Sequence, residues 1–261
     1  MSLPELVLAG MPLGNSDDVT IRFLSLARSA DAIICESRRT AQSLLKRHGI
    51  VRPDDDFLIL DEHSTEEDIQ DLTQRVSELK QVLLVSDAGM PVFCDPGSAM
   101  LVKAEQLGWK ITVLPGASAL TLAVVRAGIH GAFFFAGFPP REAAERRSFF
   151  QGLSRRKETV IFYETPYRLP RTLDEMKQVL PGGEKVFVGI DLSGENERVF
   201  RFRLKEAGRV AKQIPKGAPV IILDREKSET DEIDVRTKKT AFRAADRQPH
   251  NHSRERKSAQ E

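Results

Sequence analysis

The chain has 261 residues, with 39 Lys/Arg against 38 Asp/Glu, 41% hydrophobic residues and two cysteines. That length fits one large domain or two small ones, and the apolar fraction is enough to bury a core. The composition excludes a wholly disordered chain and a secreted disulfide framework, and no run approaches the ~18 apolar residues of a membrane span.

The first five residues carry no basic n-region or long apolar run, so a cytoplasmic protein is expected. From 6–9, short apolar runs bounded by turn residues recur at 32–35, 57–60, 82–86 and 111–114 and predict buried strands. Amphipathic stretches lie between them at 21–29, at 40–48 before Gly49, and at 66–79 behind the capping-box spelling Ser64-Thr65-Glu66-Glu67. This βα rhythm predicts a mostly parallel sheet covered by helices. A helix is expected at 117–127. Beyond it, strands are predicted at 133–135, 159–163, 185–190, 200–205 and 220–223, and helices at 142–153, 169–179 and 206–213. Ser193-Gly194-Glu195-Asn196 separates two of those strands as a hairpin would, so the second half reads as a mixed sheet. Ordered structure is expected to end near Asp224. Eight Lys/Arg against three acids then lie between 236 and 261, either a solvated disordered tail or a contact for an anionic partner.

Open α/β folds bind ligands at the carboxyl ends of their strands, and four loops there are rich in Gly and Pro. Gly10-Met11-Pro12-Leu13-Gly14-Asn15 lacks both the dinucleotide and the P-loop spelling, and reads as an ordinary turn or a close approach of backbone to a ligand. The loop 86–97 packs two acids, two prolines and two glycines into twelve residues, more than a turn requires, and reads as a ligand site. Leu114-Pro115-Gly116-Ala117-Ser118-Ala119 puts small residues at a helix start. Phe162-Tyr163-Glu164-Thr165-Pro166-Tyr167-Arg168 brings aromatics, a carboxylate and an arginine to a strand end, as core or as site. The histidines and cysteines show no metal-ligand spacing, and no G-x-S-x-G elbow is present.

These four loops, with Cys35-Glu36-Ser37-Arg38-Arg39-Thr40 and Phe135-Ala136-Gly137-Phe138-Pro139-Pro140-Arg141, resemble in order and spacing the tetrapyrrole (corrin/porphyrin) methylase superfamily. The resemblance covers about 6–224. Where relatives read Glu-Leu-Thr-Lys, this chain has Asp191-Leu192-Ser193-Gly194. The resemblance implies two α/β domains, 1–115 and 116–225, followed by the charged segment 226–261, with S-adenosylmethionine in the cleft between the domains. It implies cofactor contacts at Asp87, Ala88, Gly89, Met90, Pro115, Ser118, Ala119, Phe162 and Tyr163. Substrate contacts fall at Pro12, Leu13, Gly14, Asn15, Arg38, Arg39, Arg141 and Arg168, and Glu36 is the candidate base. It further implies a homodimer without a metal. The matching blocks are nearest to the branch that methylates a cytidine 2′-hydroxyl in small-subunit ribosomal RNA, so rRNA or the small ribosomal subunit is the expected partner. Methylation of a tetrapyrrole carbon, or non-catalytic binding of S-adenosylmethionine or RNA, stands as the alternative.

Overall fold

The computed structural model describes residues 3–225, which form one compact unit built on two five-stranded sheets. The tail read from the sequence lies outside the described residues.

The first sheet is wholly parallel. Its strands are β1 (Glu5–Leu8), β2 (Ala32–Cys35), β3 (Phe57–Ile59), β4 (Gln81–Leu84) and β5 (Lys110–Val113), in the order β3-β2-β4-β1-β5. β1 and β2 are apolar throughout their buried positions because helices cover both faces. On one face α1 (Ile21–Ser29) and α2 (Arg38–Arg47) contribute Phe23, Ala27, Ala41, Leu44 and Leu45. On the other, α3 (Glu66–Val76) and α4 (Ser98–Gln106) contribute Ile69, Leu72, Val76, Met100 and Ala104. The capping box of α3 forms one residue later than spelled, between Thr65 and Asp68. The sequence reading missed α4.

The second sheet is mixed. It contains β6 (Phe133–Phe135), β7 (Thr159–Tyr163), β8 (Lys185–Ile190), β9 (Arg198–Arg203) and β10 (Pro219–Asp224), in the order β6-β7-β10-β8-β9. β6 runs parallel to β7, while β10 is antiparallel to both β7 and β8, and β8 and β9 form the expected antiparallel pair. α6 (Ala143–Ser154), α7 (Leu169–Val179) and the short α8 (Ala207–Val210) cover one face, and α5 (Ala119–Ala127) covers the other. Gly128, at φ 77°, ends α5 in the left-handed conformation that glycine adopts without strain. Among the described residues, no helix is long and apolar enough to cross a membrane.

Candidate active site

The loops that leave β1, β2, β4 and β5 gather at one edge of the parallel sheet, and hydrogen bonds tie them together. Met11 and Gly89 exchange two backbone bonds, at 2.8 and 3.0 Å. The Asp87 amide donates to the Glu36 carboxylate at 2.9 Å, and the Ser37 amide donates to Asp87 at 3.1 Å. The turn at 86–89 is closed by the Ser86 hydroxyl on the Gly89 carbonyl, at 2.9 Å. At Gly10 and Gly116, the loops after β1 and β5 cross so closely that a Cβ on either would reach the other's backbone.

Between this edge and the second sheet lies a cavity of about 320 Å³, within the range of small-ligand sites. The loop 91–97 reaches it from the first half. Phe93 stacks on Phe135, with centroids 5.0 Å apart, and meets the edge of Tyr163. The Tyr163 hydroxyl accepts the Leu120 amide at 3.0 Å, which pins the start of α5, and burial holds the phenol at a pKa of about 12. Asp95 accepts from the amides of Val92 and Gly97 and so holds the loop's shape. Val92, Cys94, Asp191 and Ser193 are the non-glycine residues at positive φ among the described residues. Cys94 and Asp191 line the cavity, and Val92 and Ser193 adjoin them. Left-handed backbone at such residues costs about 1–3 kcal/mol each and concentrates at functional sites. The buried Ser193 Oγ has no hydrogen-bond partner among the described residues.

The cavity wall is acidic. Glu36, Asp87, Asp95, Glu164 and Asp191 line it, and no Lys, Arg or His among the described residues does. Burial raises the pKa of Glu36, Asp87 and Asp95 above ordinary values, partly countered by the amides they accept from. Among the described residues, Glu164 is the one of the five with a cationic partner, Arg168 at 3.1 Å, and it also accepts from Thr172 and the Thr165 amide. A wall of desolvated carboxylates favours a cationic ligand and disfavours an anionic one.

Of the residues singled out in the sequence, Leu13, Glu36, Asp87, Ala88, Gly89, Met90, Ser118, Ala119 and Tyr163 line this cavity. Pro12, Leu13, Gly14 and Arg39 line an adjacent groove of about 410 Å³ between the loop after β1 and α2. The others sit elsewhere. Phe162 is fully buried in the core under α6 and α7, because successive strand residues face opposite ways and Tyr163 takes the cavity side. Pro115 lies exposed in the loop after β5. Asn15 caps a short 3-10 helix by accepting the Asp17 amide. Arg38 turns to Asp54 at 3.4 Å. Arg168 is spent on Glu164 and on the carbonyls of Pro139 and Pro140, and exposed Arg141 lends its carbonyl to Arg146.

Phe93, Asp95, Phe138, Glu164, Asp191, Leu192 and the stretch Ala218-Pro219-Val220 line the cavity without having been singled out. Phe93, Asp95 and Glu164 stood within loops already marked, Phe138 within the block 135–141, and Asp191 and Leu192 within the block 191–194. The last three residues carried no signal, because β10 is antiparallel to β7 and brings its amino end to the site.

The family model for tetrapyrrole (corrin/porphyrin) methylases matches residues 5–208. The chain belongs to that family of methyltransferases. A ribosomal RNA small subunit methyltransferase I of Thermotoga maritima is 34% identical over 221 residues, 84% of this chain and 97% of its own. The protein of that name from Leptospira borgpetersenii is 36% identical over 228 residues, 86% and 89% of the two chains. Among solved structures, a cobalt precorrin-4 methyltransferase superposes with a TM-score of 0.63 at 17% identity, over 84% of this chain and 94% of its own. Uroporphyrin-III C-methyl transferase from Thermus thermophilus, complexed with S-adenosylhomocysteine, gives 0.58 at 16% identity, over 84% and 91%. At such identities the likeness is one of fold, and methylase family and two-sheet α/β architecture agree with the reading of the sequence.

Proposed function

We propose that this chain is an S-adenosylmethionine-dependent methyltransferase that acts on the ribose 2′-hydroxyl of a cytidine in small-subunit ribosomal RNA. We extend the reading to a cytoplasmic homodimer whose two α/β domains divide at 115/116. The observation that carries the cofactor assignment is the acidic wall: among the described residues, five carboxylates and no basic side chain face a cavity of nucleoside scale. A sulfonium with an α-amino group fits such a wall, and Phe93 and Tyr163 add aromatic surface to it for a flat base. Ala88, Gly89, Ser118 and Ala119 add little side-chain bulk, so a ligand can approach backbone. When bound, S-adenosylmethionine supplies an electrophilic methyl group. Glu36 is the candidate to take the hydroxyl proton: it lines the cavity and burial raises its pKa toward the working range. The relatives at 34% and 36% identity, which carry the rRNA methyltransferase name over most of their length, support the substrate.

Calorimetry in metal-free buffer is expected to show binding of S-adenosylhomocysteine. Labelled cofactor is then offered with naked rRNA, 30S subunits and uroporphyrinogen. Label recovered from 30S subunits as an alkali-resistant dinucleotide is the expected result. Label in the tetrapyrrole and none in RNA overturns the substrate while leaving the cofactor in place.

A further inference from the structure

The groove beside the cavity has a chemistry opposite to it. Arg39, Ser43 and Arg47 line it from α2 at spacings of four residues, so they share one side of the helix, with Leu44 at the groove floor, while Ala41 and Leu45 are buried on the other. Pro12, Gly14 and Ser16 form the opposite wall. That wall is fixed at both ends: Met11 is bridged to Gly89, and His48 Nε2, just past α2, lies 3.0 Å from the Ser16 carbonyl. Neighbouring arginines are engaged, Arg38 with Asp54 and Arg52 with Asp56. The Arg39 and Arg47 guanidinium groups make no hydrogen bond or ion pair with any described residue. Their stems stand about 12 Å apart along the helix axis, from a rise of ~1.5 Å per residue. Leu13 and Asp87 line both groove and cavity, so whatever lies in the groove ends beside the reacting centre.

We infer that this groove is a phosphodiester subsite, in which Arg39 and Arg47 hold two phosphates on either side of a third in a single RNA strand and Ser43 donates a hydroxyl to the one between them. The inference rests on the function proposed above and names the part of the site that positions the substrate. The two arginines bind by charge and carry no sequence information. The strand runs along α2 on the arginine side, and its flanking ribose reaches the cavity at Leu13, past the carboxylate of Asp87. The acidic cavity repels phosphate, so a polyanion enters the groove while the cavity keeps its cationic ligand.

The test uses the full chain and a fluorescein-labelled single-stranded oligoribonucleotide, with binding followed by anisotropy between 50 and 200 mM KCl. On single strands each neutralised phosphate contributes ~0.7 to the slope of log affinity against log salt. The double variant Arg39→Gln/Arg47→Gln is expected to lower that slope by about 1.4, so it loses about sevenfold less affinity than wild type over the fourfold salt range. Arg47→Lys keeps the charge and should keep most of the slope. Arg75→Gln, exposed on α3 across the sheet, is the control and should leave the slope alone. S-adenosylhomocysteine affinity, measured on each variant, should not move. A wild-type slope in the double variant, or an equal fall in Arg75→Gln, overturns the subsite. Methylation of 30S subunits by wild type is read separately. With RNA labelled and the slope unmoved, only the subsite fails. With only the tetrapyrrole labelled, the proposed substrate fails, and the subsite survives as an RNA site only if the slope falls as stated.

Discussion

The crossing of the loops after β1 and β5 makes a quantitative demand on Gly116. A Cβ there would lie 2.8 Å from Gly10 Cα, 2.9 Å from Met90 Sδ and 3.1 Å from Gly10 N. Carbon atoms in ordinary contact sit ~3.5–4.0 Å apart, so Gly116→Ala must part the loops by roughly 0.7 Å or more. Two of the three obstacles are backbone, and Gly10 follows the buried strand β1, which is paired on both sides. Met90 alone can turn away. Overpacking costs ~1–3 kcal/mol, and an unyielding backbone puts this case at about 2–3. Stiffening of the unfolded chain returns ~0.4–1 kcal/mol at most. For a folded body of this size each kcal/mol moves Tm by ~2–4 °C, so a fall of about 4–12 °C is expected before that offset. Differential scanning calorimetry measures it, with Gly152→Ala as the internal standard. Gly152 lies within α6 with nothing near its missing Cβ, so alanine there should stabilise by ~0.5–1 kcal/mol. If Gly116→Ala melts at or above wild type, the crossing is not the constraint described.

Glu36→Gln keeps an acceptor for the Asp87 amide and removes a carboxylate whose ionisation burial opposes. It should melt no lower than wild type while methyl transfer falls by ~10²–10⁴-fold, and an unchanged pH–rate profile would dismiss Glu36 as the base. Ser193→Ala removes a buried hydroxyl without a partner among the described residues, so urea unfolding should show equal or greater stability. A loss above ~1 kcal/mol would mean the hydroxyl is bonded in solution. Glu175 is held at a pKa of about 2 by buried Arg146. A depressed carboxyl stabilises above its ordinary value of 4.5, and that contribution is lost as pH falls toward 2. Glu175→Gln should therefore cost about 1.5–3 kcal/mol at pH 7 and converge on wild type near pH 2. An equal deficit at both pH values contradicts the pairing.

The parallel half was legible because each of its strands is a short apolar run ending in a loop with unusual residues. α4 was not, because Ser98–Gln106 buries only Met100 and Ala104 and has little one-sided apolar pattern to separate it from the loop before it. At the site, the sequence located loops but not the direction of side chains. Phe162 and Tyr163 are adjacent aromatics of like appeal, and only the alternation of β7 sends one into the core and the other into the cavity. The arginines divide for a related reason. Whether a guanidinium is free depends on which acid the fold brings beside it: Asp54 takes Arg38, Glu164 takes Arg168, and Arg39, one residue along the helix from Arg38, is left facing the groove.

The acidic wall lies further still from what a linear reading can reach. Glu36 follows β2, Asp87 and Asp95 follow β4, Glu164 follows β7, and Asp191 follows β8. Each alone is an ordinary loop residue, and most are satisfied by backbone amides that would explain them as turn chemistry. Their common sign has meaning only where two sheets bring four strand ends to one cavity and no base among the described residues joins them. Gly14 and Gly194 are where that meeting is tightest, since a Cβ on Gly14 would lie 2.6 Å from Gly194 Cα. A bare backbone at that contact lets a loop of the first sheet close on a loop of the second. The residue this contact requires to be glycine is Gly14: a Cβ on Gly194 would meet Gly14 Cα at 3.5 Å, an ordinary contact, and its tight neighbour is the Asp191 carbonyl of its own loop at 3.0 Å.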